Sequence, residues 1–397
     1  MPEWGYAYEE VAEVARFGDG LAPGPDLVGA AESAVRQATE SLEGRPDLLC
    51  LFVSGADPAA VSEAGLRAME VADAATTLGC SAGGVIGRGQ GVEATGAVAA
   101  WAAVLPGVRR QPFHLDVLRG PEGVVVTGLP DREPDDAVAV LLADPYSFPA
   151  GEFIERSNDV PVWLPLVGGL ATGQRGEGSA RLFLDGHVLE QGAVGVLLGG
   201  PVGARTLVSQ GCRPIGPAMI VTRAEGNVLL ELAGVPAYRK LEEIVAALPP
   251  DEQALAARGL HIGIAMDEYA EEHERGAFLV RGVIGADPRH GAVAVGDVVE
   301  VGRTVRFQVR DRDAADEDLE ALLTGFRAAG PVEGALLFSC NGRGATLFPS
   351  ADHDVLAIRR GLGITGVAGF FAAGEIGPVA GRNHVHGFTA SILAFGD

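Results

Sequence analysis

The sequence predicts an α/β (α+β) protein in which mixed β-sheets are layered with helices. Two similar lobes are expected, built from repeated units of strand, helix, glycine turn and strand. Two observations support this prediction. A nine-residue glycine motif recurs along the 397 residues, and each copy follows an apolar strand and an amphipathic segment. Hydrophobic residues also make up 47% of the chain, which is enough for a large packed interior.

The glycine motif reads "GCSAGGVIG" at 79–87, "GGLATGQRG" at 168–176 and "GFFAAGEIG" at 369–377. All copies share Gly, Ala, Gly and Gly at positions one, four, six and nine. Such matches also arise by chance in a chain rich in Gly and Ala. The shared order of the flanking segments argues against chance and for internal repeats.

Each copy is flanked by elements that can be assigned in order. The preceding strands are "LLCLFVSG", "AVAVLLADP" and "GALLFSC", each followed by a segment with apolar residues at helical spacing. A further strand follows each glycine turn, and the short connection allows an antiparallel return. Continuous apolar strands need cover on both faces, so helices are expected to layer the sheets. Before the first copy, Asp26 is a predicted N-cap for a helix.

The region between the second and third copies is less regular. A helical segment, "KLEEIVAALPPDEQALAARG", precedes the strand-like runs "LHIGIAMD", "GAFLVRGVIG" and "TVRFQVRD", which we interpret as a degenerate fourth unit. Four units in two pairs would give the two lobes. We therefore predict an approach segment at 1–25, an N-terminal domain at 26–200 and a C-terminal domain at 201–397, with the boundary near "LLGGPVGAR".

Charge and cysteine usage limit the partners and the compartment. Lys and Arg number 30 against 53 Asp and Glu, so the formal net charge is −23. A field of this sign repels phosphate backbones and anionic lipid, and no basic cluster is visible in the sequence. The four cysteines are widely spaced without a CxxC pair, and the stretch "MPEWGYAYEEVAEVARF" has neither the basic nor the apolar region expected of a signal peptide. We expect a cytoplasmic protein that binds neither nucleic acid nor membrane.

Several glycine turns carry an arginine, namely Arg88, Arg175, Arg213, Arg343 and Arg382. Exposed backbone N–H groups in such turns bind anions, and a guanidinium matches a carboxylate or phosphate. The alternative is that surface loops simply contain Gly and Arg. If the turns converge in space, they would form one receptor for a small anion.

Cys340 closes an apolar strand ahead of a glycine and an arginine. A catalytic cysteine needs a lowered pKa and a nearby base, and His353, His384 and His386 are the histidines close to it in sequence. None stands at a diagnostic spacing, and buried cysteine is common at strand ends. The sequence is compatible with a catalytic role of Cys340 and with a buried structural one.

Glu375 lies among apolar and glycine residues, where a lone carboxylate needs a partner, and Arg343 is the predicted one. The "HVH" run at 384–386 places two imidazoles on one face of a strand, and residues 352–354 add potential metal ligands. No third ligand is marked by spacing, so no metal site is predicted. Haem bound by one of the eight histidines is a further alternative, although no other cofactor is expected.

Several longer motifs resemble the FIST domains. The C-terminal FIST domain is similar to 208–241, "FSCNGRG", "DHDVLAIRRGLG", "GFFAAGEIGP" and "HVHGFTASILAF", and the N-terminal domain to "LLCLFVSG" with "GCSAGGVIG". The resemblance implies a sensory module that binds small ligands such as amino acids, and some bacterial members resemble haem-binding sensors of nitric oxide. It implies no catalytic residues. The predicted ligand-binding residues are Cys80, Ser81, Cys212, Arg213, Cys340, Asn341, Arg343, Gly344, Asp354, Gly374, Glu375 and Gly377.

The leading hypothesis is a stand-alone cytoplasmic protein that holds an amino acid or another small carboxylate in its Gly and Arg turns, with a signalling partner protein for output. The first alternative is an enzyme that uses Cys340 as nucleophile. The second is a haem-based gas sensor.

Overall fold

The computed structural model describes residues 14–121, 123–173, 176–268 and 276–396. Up to residue 199 the elements are β1 (Arg16–Pro23), α1 (Leu27–Thr39), β2 (Leu48–Ser54), α2 (Pro58–Ala72), β3 (Thr76–Ala82), β4 (Gly84–Gly87), β5 (Gln90–Glu93), β6 (Ala97–Val104), β7 (Arg109–Gly120), β8 (Gly123–Thr127), β9 (Asp136–Ala143), α3 (Ala150–Arg156), β10 (Leu166–Leu170), β11 (Leu182–Leu184), β12 (His187–Leu189) and β13 (Ala193–Gly199).

From residue 204 onward the elements are β14 (Ala204–Gln210), β15 (Cys212–Pro214), β16 (Met219–Glu225), β17 (Val228–Leu232), β18 (Val235–Pro236), α4 (Ala237–Ala247), α5 (Pro250–Arg258), β19 (Leu260–Ala265), β20 (Phe278–Asp287), β21 (Ala292–Val295), β22 (Thr304–Arg310), α6 (Arg312–Ala328), β23 (Gly334–Cys340), α7 (Gly344–Leu347), α8 (His353–Leu362), β24 (Gly366–Ala372), β25 (Glu375–Val379), β26 (Arg382–His386) and β27 (Thr389–Phe395).

The predicted repeat is present as three units with one topology. The first unit comprises β2, α2, β3 and β6, the second β9, α3, β10 and β13, and the third β23, α8, β24 and β27. In each unit the first two strands pair in parallel, and the last strand returns antiparallel beside the first. The α/β class with mixed sheets and the antiparallel return are thereby confirmed.

Each unit gives a hairpin to the sheet of another unit. The β4–β5 hairpin of the first unit joins β24 of the third, the β25–β26 hairpin of the third joins β10 of the second, and the β11–β12 hairpin of the second joins β3 of the first. This cyclic exchange interlocks the three sheets. It also brings the glycine turns together, because the Thr172 N–H donates to Ser81 O at 3.1 Å and the Ala373 N–H donates to Leu170 O at 3.1 Å.

The first glycine of each motif copy has a packing role. A Cβ on Gly79, Gly168 or Gly369 would lie only 2.2, 1.9 or 1.7 Å from the carbonyl oxygen of its partner on the adjacent parallel strand, which is a leucine in each unit. Real Cβ atoms cannot approach a backbone oxygen so closely. This shared glycine is therefore required by strand packing, whatever else the turns do.

A common core lies among the three sheets. Trp101 is fully buried, and its indole nitrogen donates to Gly366 O at 3.2 Å, which joins the first and third units. The rings of Phe52 and Phe370 lie 5.0 Å apart, and those of Trp101 and Phe395 lie 5.2 Å apart. Aromatic pairs from different units thus contribute to a single interior.

The expected fourth unit is not formed. The strands predicted at "LHIGIAMD", "GAFLVRGVIG" and "TVRFQVRD" do exist as β19, β20 and β22. They belong, however, to a sheet in the order β15-β22-β16-β17-β21-β20-β19, in which all described pairings are antiparallel. We call residues 212–310 the inserted sheet, because they lie between β14 and α6.

The predicted approach segment and the predicted domain boundary can be located among the observed strands. Residues 16–23 of the approach segment form β1, which pairs with β6, whereas residues 1–13 lie outside the described part of the chain. The predicted N-cap is confirmed, since Asp26 Oδ1 accepts from the Gly29 N–H at 3.1 Å. The boundary at 200/201 stays a prediction, and it falls between β13 and β14.

Candidate functional site

The loop that follows β23 contains a fully buried arginine, Arg343. Its Nε donates to Asp354 Oδ2 at 2.8 Å and its Nη2 donates to Oδ1 at 2.9 Å, so the pair is bidentate. The Ser339 hydroxyl also donates to Asp354 at 2.8 Å. Burial by itself would raise the pKa of Asp354, but Arg343, His353 and Ser339 hold it below its ordinary value. Asp354 is therefore ionised at neutral pH.

Glu375, at the start of β25, is fully buried as well. Its Oε2 accepts from the Thr389 N–H at 3.1 Å and from the Thr389 hydroxyl at 2.8 Å. Burial raises the pKa of Glu375 to about 8, although Thr389, Cys340 and Arg343 oppose the shift. Within the described residues, Glu375 Oε1 and Arg343 Nη1 have no hydrogen-bond partner. A buried guanidinium N–H and a buried carboxyl oxygen are thus left unsatisfied, which is energetically costly.

This arrangement corrects one prediction. Arg343 was the expected partner of Glu375, yet the bidentate partner of Arg343 is Asp354, and the hydrogen bonds to Glu375 come from Thr389. The reason is that Asp354 lies in the first turn of α8, directly behind the loop, where its carboxylate can accept from both guanidinium nitrogens.

Two buried thiols accompany the charged groups. Cys340 ends β23, and the Gly342 N–H donates to its sulfur at 3.4 Å. Burial and Glu375 raise the pKa of the Cys340 thiol. Burial also raises the pKa of Cys212 to about 12, with Arg310 and Arg343 acting in the opposite direction. Both cysteines are therefore protonated thiols, which is the reverse of what a nucleophile requires.

The histidine nearest in sequence to Cys340 is engaged elsewhere. His353 contacts Asp354 at 3.0 Å and Asp316 at 2.9 Å, and its ring stacks on Phe348 with the centroids 3.5 Å apart. His386 contacts Gly377 O at 2.9 Å. Within the described contacts, neither imidazole is hydrogen-bonded to the Cys340 thiol.

A cleft of about 450 Å³ opens beside this cluster, between the inserted sheet and α7. Its lining is mainly charged and consists of Arg213, Asp251, Glu252, Leu255, Arg258, Gly259, Arg310, Asp311, Arg312, Asp313, Thr346 and Leu347. The size is within the range of small-molecule sites. Since α7 follows Arg343 directly, the cleft and the buried cluster share a wall.

The arginines of the cleft differ in how they are paired. Arg213 donates to Asp311 at 2.8 Å and lies 3.3 Å from Glu252. Arg310 instead donates to Gly342 O at 3.3 Å, and no carboxylate of the described chain forms an ion pair with it. Its guanidinium therefore keeps donors available for an anion.

Phe388 contacts both Arg310 and the buried cluster. The guanidinium carbon of Arg310 lies 5.5 Å from the centre of the Phe388 ring, and His261 contacts the same ring with the centroids 4.1 Å apart. The backbone of Phe388 also hydrogen-bonds the Cys340 thiol. Phe388 has φ +63°, a left-handed conformation that is unusual for a bulky residue. It thus contacts both the cleft arginine and the buried thiol.

Two family models match the chain, the FIST N domain over residues 47–235 and the FIST C domain over residues 237–378. The chain belongs to the FIST family. FIST domains are sensory domains of signal transduction. The inserted sheet that contributes the cleft is divided between the two matched ranges, and the loop with Arg343 falls in the second.

Similar proteins occur in mycobacteria. The uncharacterized protein Rv0628c of Mycobacterium tuberculosis is 45% identical over 386 residues, which cover 96% of this chain and 100% of the relative. The uncharacterized protein Mb0898c of Mycobacterium bovis is 44% identical over 388 residues, covering 96% of this chain and 99% of the relative.

The predicted ligand-binding residues from Cys212 onward fall into three groups by position, and the first two of them, Cys212 and Arg213, lie in the range matched by the FIST N domain. Cys212, Cys340, Arg343, Asp354 and Glu375 gather in the buried cluster, as their mutual electrostatic effects show. Arg213 lies in the cleft. The remaining ones pack the surrounding turns: Asn341 donates its N–H to Ala372 O at 2.9 Å, Gly374 O accepts from the Leu170 N–H at 2.8 Å, Gly344 adjoins Glu93, and Gly377 adjoins Ser391 and Val208.

Cys80 and Ser81 are not brought to this cluster. They lie in β3, where Cys80 is buried near Cys50 and the Ser81 hydroxyl accepts from the Arg181 N–H at 2.8 Å. These contacts join β3 to the β11–β12 hairpin. Their predicted role in ligand binding has no support from the geometry.

The described glycine turns with arginine do not share one cleft. Arg213 lines the cleft and Arg343 lies behind it, but Arg88 borders a different depression and Arg382 is exposed on the β25–β26 hairpin. Arg175 lies outside the described residues. Of the four described turns, only those of Arg213 and Arg343 therefore lie at the candidate site, together with Arg310, which sequence reasoning missed. Arg310 is placed by its pairing with Cys212 across β15 and β22.

His384 and His386, the histidines considered as metal or haem ligands, lie outside the linings of both described clefts. The rings of His384 and His386 lie 5.7 Å apart, and the described residues contain no group of three or more His, Cys, Asp or Glu that could hold a metal ion. Neither described cleft has a histidine in its lining, whereas haem needs an axial ligand and apolar walls. These clefts do not fit haem. Among the described helices, none combines the length and apolarity that crossing a membrane requires.

Proposed function

We propose that this FIST protein is a sensor that binds a small carboxylate, and in particular an amino acid, in the cleft between the inserted sheet and α7. One observation carries the proposal. Arg310 projects into a cleft of about 450 Å³ without a carboxylate partner among the described residues. A half-buried guanidinium with free donors is suited to bind a carboxylate.

The acidic residues of the cleft favour a zwitterion over a simple anion. Arg213 is already paired with Asp311 and Glu252. Asp251 and Asp313 are exposed at the same cleft, and Asp251 is in no described ion pair. A free amino acid would place its carboxylate on Arg310 and its ammonium group near Asp251. Both charges of the ligand would then have an opposite charge on the protein.

The contacts of Arg310 suggest how binding is sensed. Arg310 donates to Gly342 O, and Gly342 precedes Arg343 in the buried cluster. When a carboxylate takes up the donors of Arg310, the Gly342 carbonyl and the Phe388 ring lose part of their interaction with it. The change is transmitted to the loop between β23 and α8.

The proposal is tested first by a thermal-shift screen with the common amino acids and small dicarboxylates, and then by calorimetry on the best compound. An Arg310→Gln variant is expected to bind this compound about 10- to 100-fold more weakly, because a charge-assisted hydrogen bond is removed. Arg289→Gln, which changes an exposed arginine on the β20–β21 turn, serves as control and keeps full affinity. A screen without any hit, or equal affinity of Arg310→Gln and wild type, would refute the proposal.

A further inference from the structure

A second depression, of about 530 Å³, lies where the first and third units meet. Arg88, from the β4–β5 turn, and Arg359 and Arg360, from the last turn of α8, border it. We call Arg88, Leu356, Arg359 and Arg360 the arginine patch. In the described chain none of the three guanidiniums forms an ion pair with a carboxylate within 4 Å. The sequence predicted no basic cluster, because these residues lie far apart along the chain.

The patch is only weakly compensated from within the protein. The Arg88 N–H donates to Asp19 Oδ2 at 2.5 Å, and Arg359 and Arg88 act to lower the pKa of this carboxyl. Burial is the larger effect and raises the pKa of Asp19 overall. The C-terminal dipole of α8 favours Arg359 and Arg360, but it does not account for Arg88.

The backbone holds Arg88 in place toward the patch. Arg88 has φ +52° and is followed by Gly89 with φ +75°, so two consecutive residues are in the left-handed region. An arginine in that region is uncommon and is tolerated where the surroundings fix it. The hydrogen bond to Asp19 is such a restraint. The fold thus gathers three cations on the surface of a chain whose net charge is −23.

We propose that the arginine patch docks an acidic segment of a partner protein. The depression is shallow and open, whereas small-molecule sites are enclosed. Leu356, which is 44% exposed, lines the same depression and offers an apolar contact. A long nucleic acid or an anionic membrane would extend beyond the patch onto a strongly acidic surface, so a short acidic peptide segment is the favoured occupant.

Helix α8 connects this patch to the proposed ligand site. Asp354 in its first turn holds Arg343, while Arg359 and Arg360 lie in its last turn. At the same end as Asp354, Asp352 Oδ1 accepts from the Gly91 N–H at 2.8 Å, which ties α8 to the hairpin that carries Arg88. A movement of the Arg343 loop would therefore change the spacing of the patch arginines. This output role rests on the proposed function, whereas docking itself does not.

The experiment uses a fluorescent deca-glutamate peptide and measures its anisotropy with the full chain. Wild type is expected to bind, and binding weakens between about 20 and 200 mM salt because the contacts are exposed. The triple variant Arg88→Gln/Arg359→Gln/Arg360→Gln is expected to bind the peptide at least about ten-fold more weakly than wild type. The Arg289→Gln variant is expected to bind it as tightly as wild type. Circular dichroism checks that the triple variant is folded.

Equal binding by the triple variant and wild type overturns the proposal. So does tighter binding of a short RNA duplex or of phosphatidylserine vesicles than of the peptide, because the patch would then recognise phosphate. Calorimetry with the amino-acid hit separates this inference from the proposed function. The triple variant should keep the affinity of wild type for the amino acid, and Arg310→Gln should keep its affinity for the peptide.

Discussion

The buried Glu375 carboxyl predicts a specific pH dependence of stability. Its pKa is raised from 4.5 to about 8, mainly by burial, so the folded protein holds a proton that the unfolded chain releases. The contribution of Glu375 to stability is then greatest below pH 4.5 and is lost as the pH rises toward about 8. The shift corresponds to roughly 4–5 kcal/mol, taking about 1.4 kcal/mol for each pH unit.

The Glu375→Gln substitution removes this titration while keeping an acceptor for Thr389. At about pH 4 the free energy of unfolding should match that of wild type, because Glu375 is then mostly protonated in both the folded and the unfolded protein. At about pH 8.5 the variant should be more stable by up to roughly 4–5 kcal/mol. Urea unfolding at three pH values gives both numbers. Glu242→Gln, at an exposed position of α4, is the control for removing one negative charge. Parallel pH profiles for Glu375→Gln and wild type would refute the reasoning.

Three further predictions concern the same region and the repeat. Asp354→Asn should lower the free energy of unfolding by about 3–5 kcal/mol in urea titrations, because Arg343 is left buried without a counter-charge; a loss below about 1 kcal/mol would contradict this. Cys340 should react with iodoacetamide about 100-fold more slowly in the folded than in the urea-unfolded protein, since its thiol is buried and protonated; equal rates would show an accessible thiolate. Gly369→Ala should lower the free energy of unfolding by more than about 2 kcal/mol. The control, Gly325→Ala, should stabilise α6 slightly, because its Cβ would have no atom within 4 Å. Similar melting temperatures for the two variants would be inconsistent with close strand packing at Gly369.

The repeat could be predicted because its signal is local. The first glycine of each motif copy is required because a neighbouring backbone approaches it closely, as at Gly369. This requirement concerns a single sequence position, so it can be recognised without knowing the fold. Apolar runs and helical spacing around it were sufficient to define strand, helix and return strand. The antiparallel return followed from the short connection.

The exchange of hairpins could not be predicted. The register between β24 and β4 pairs Gly369 with Ile86, and neither segment carries a charge or turn that specifies the other. Both are buried and apolar, so any of several strands would satisfy the same pattern. The inserted sheet was mistaken for a fourth unit for a similar reason, because its strands match in composition and differ only in pairing.

The candidate site was predicted in part. Five of the residues selected from the sequence do lie together, namely Cys212, Cys340, Arg343, Asp354 and Glu375. Arg310 was not selected, because it ends an ordinary strand and becomes notable only through its register with Cys212. The arginine patch was missed because Arg88 meets Arg359 only through the tertiary fold.

The most direct test of the proposed ligand site is a crystal structure of the protein with the best amino-acid hit. We predict that the ligand carboxylate lies within hydrogen-bonding distance of the Arg310 guanidinium, in the cleft beside α7, with the ammonium group toward Asp251. A ligand bound at any other place, with Arg310 still donating only to Gly342, would contradict the account.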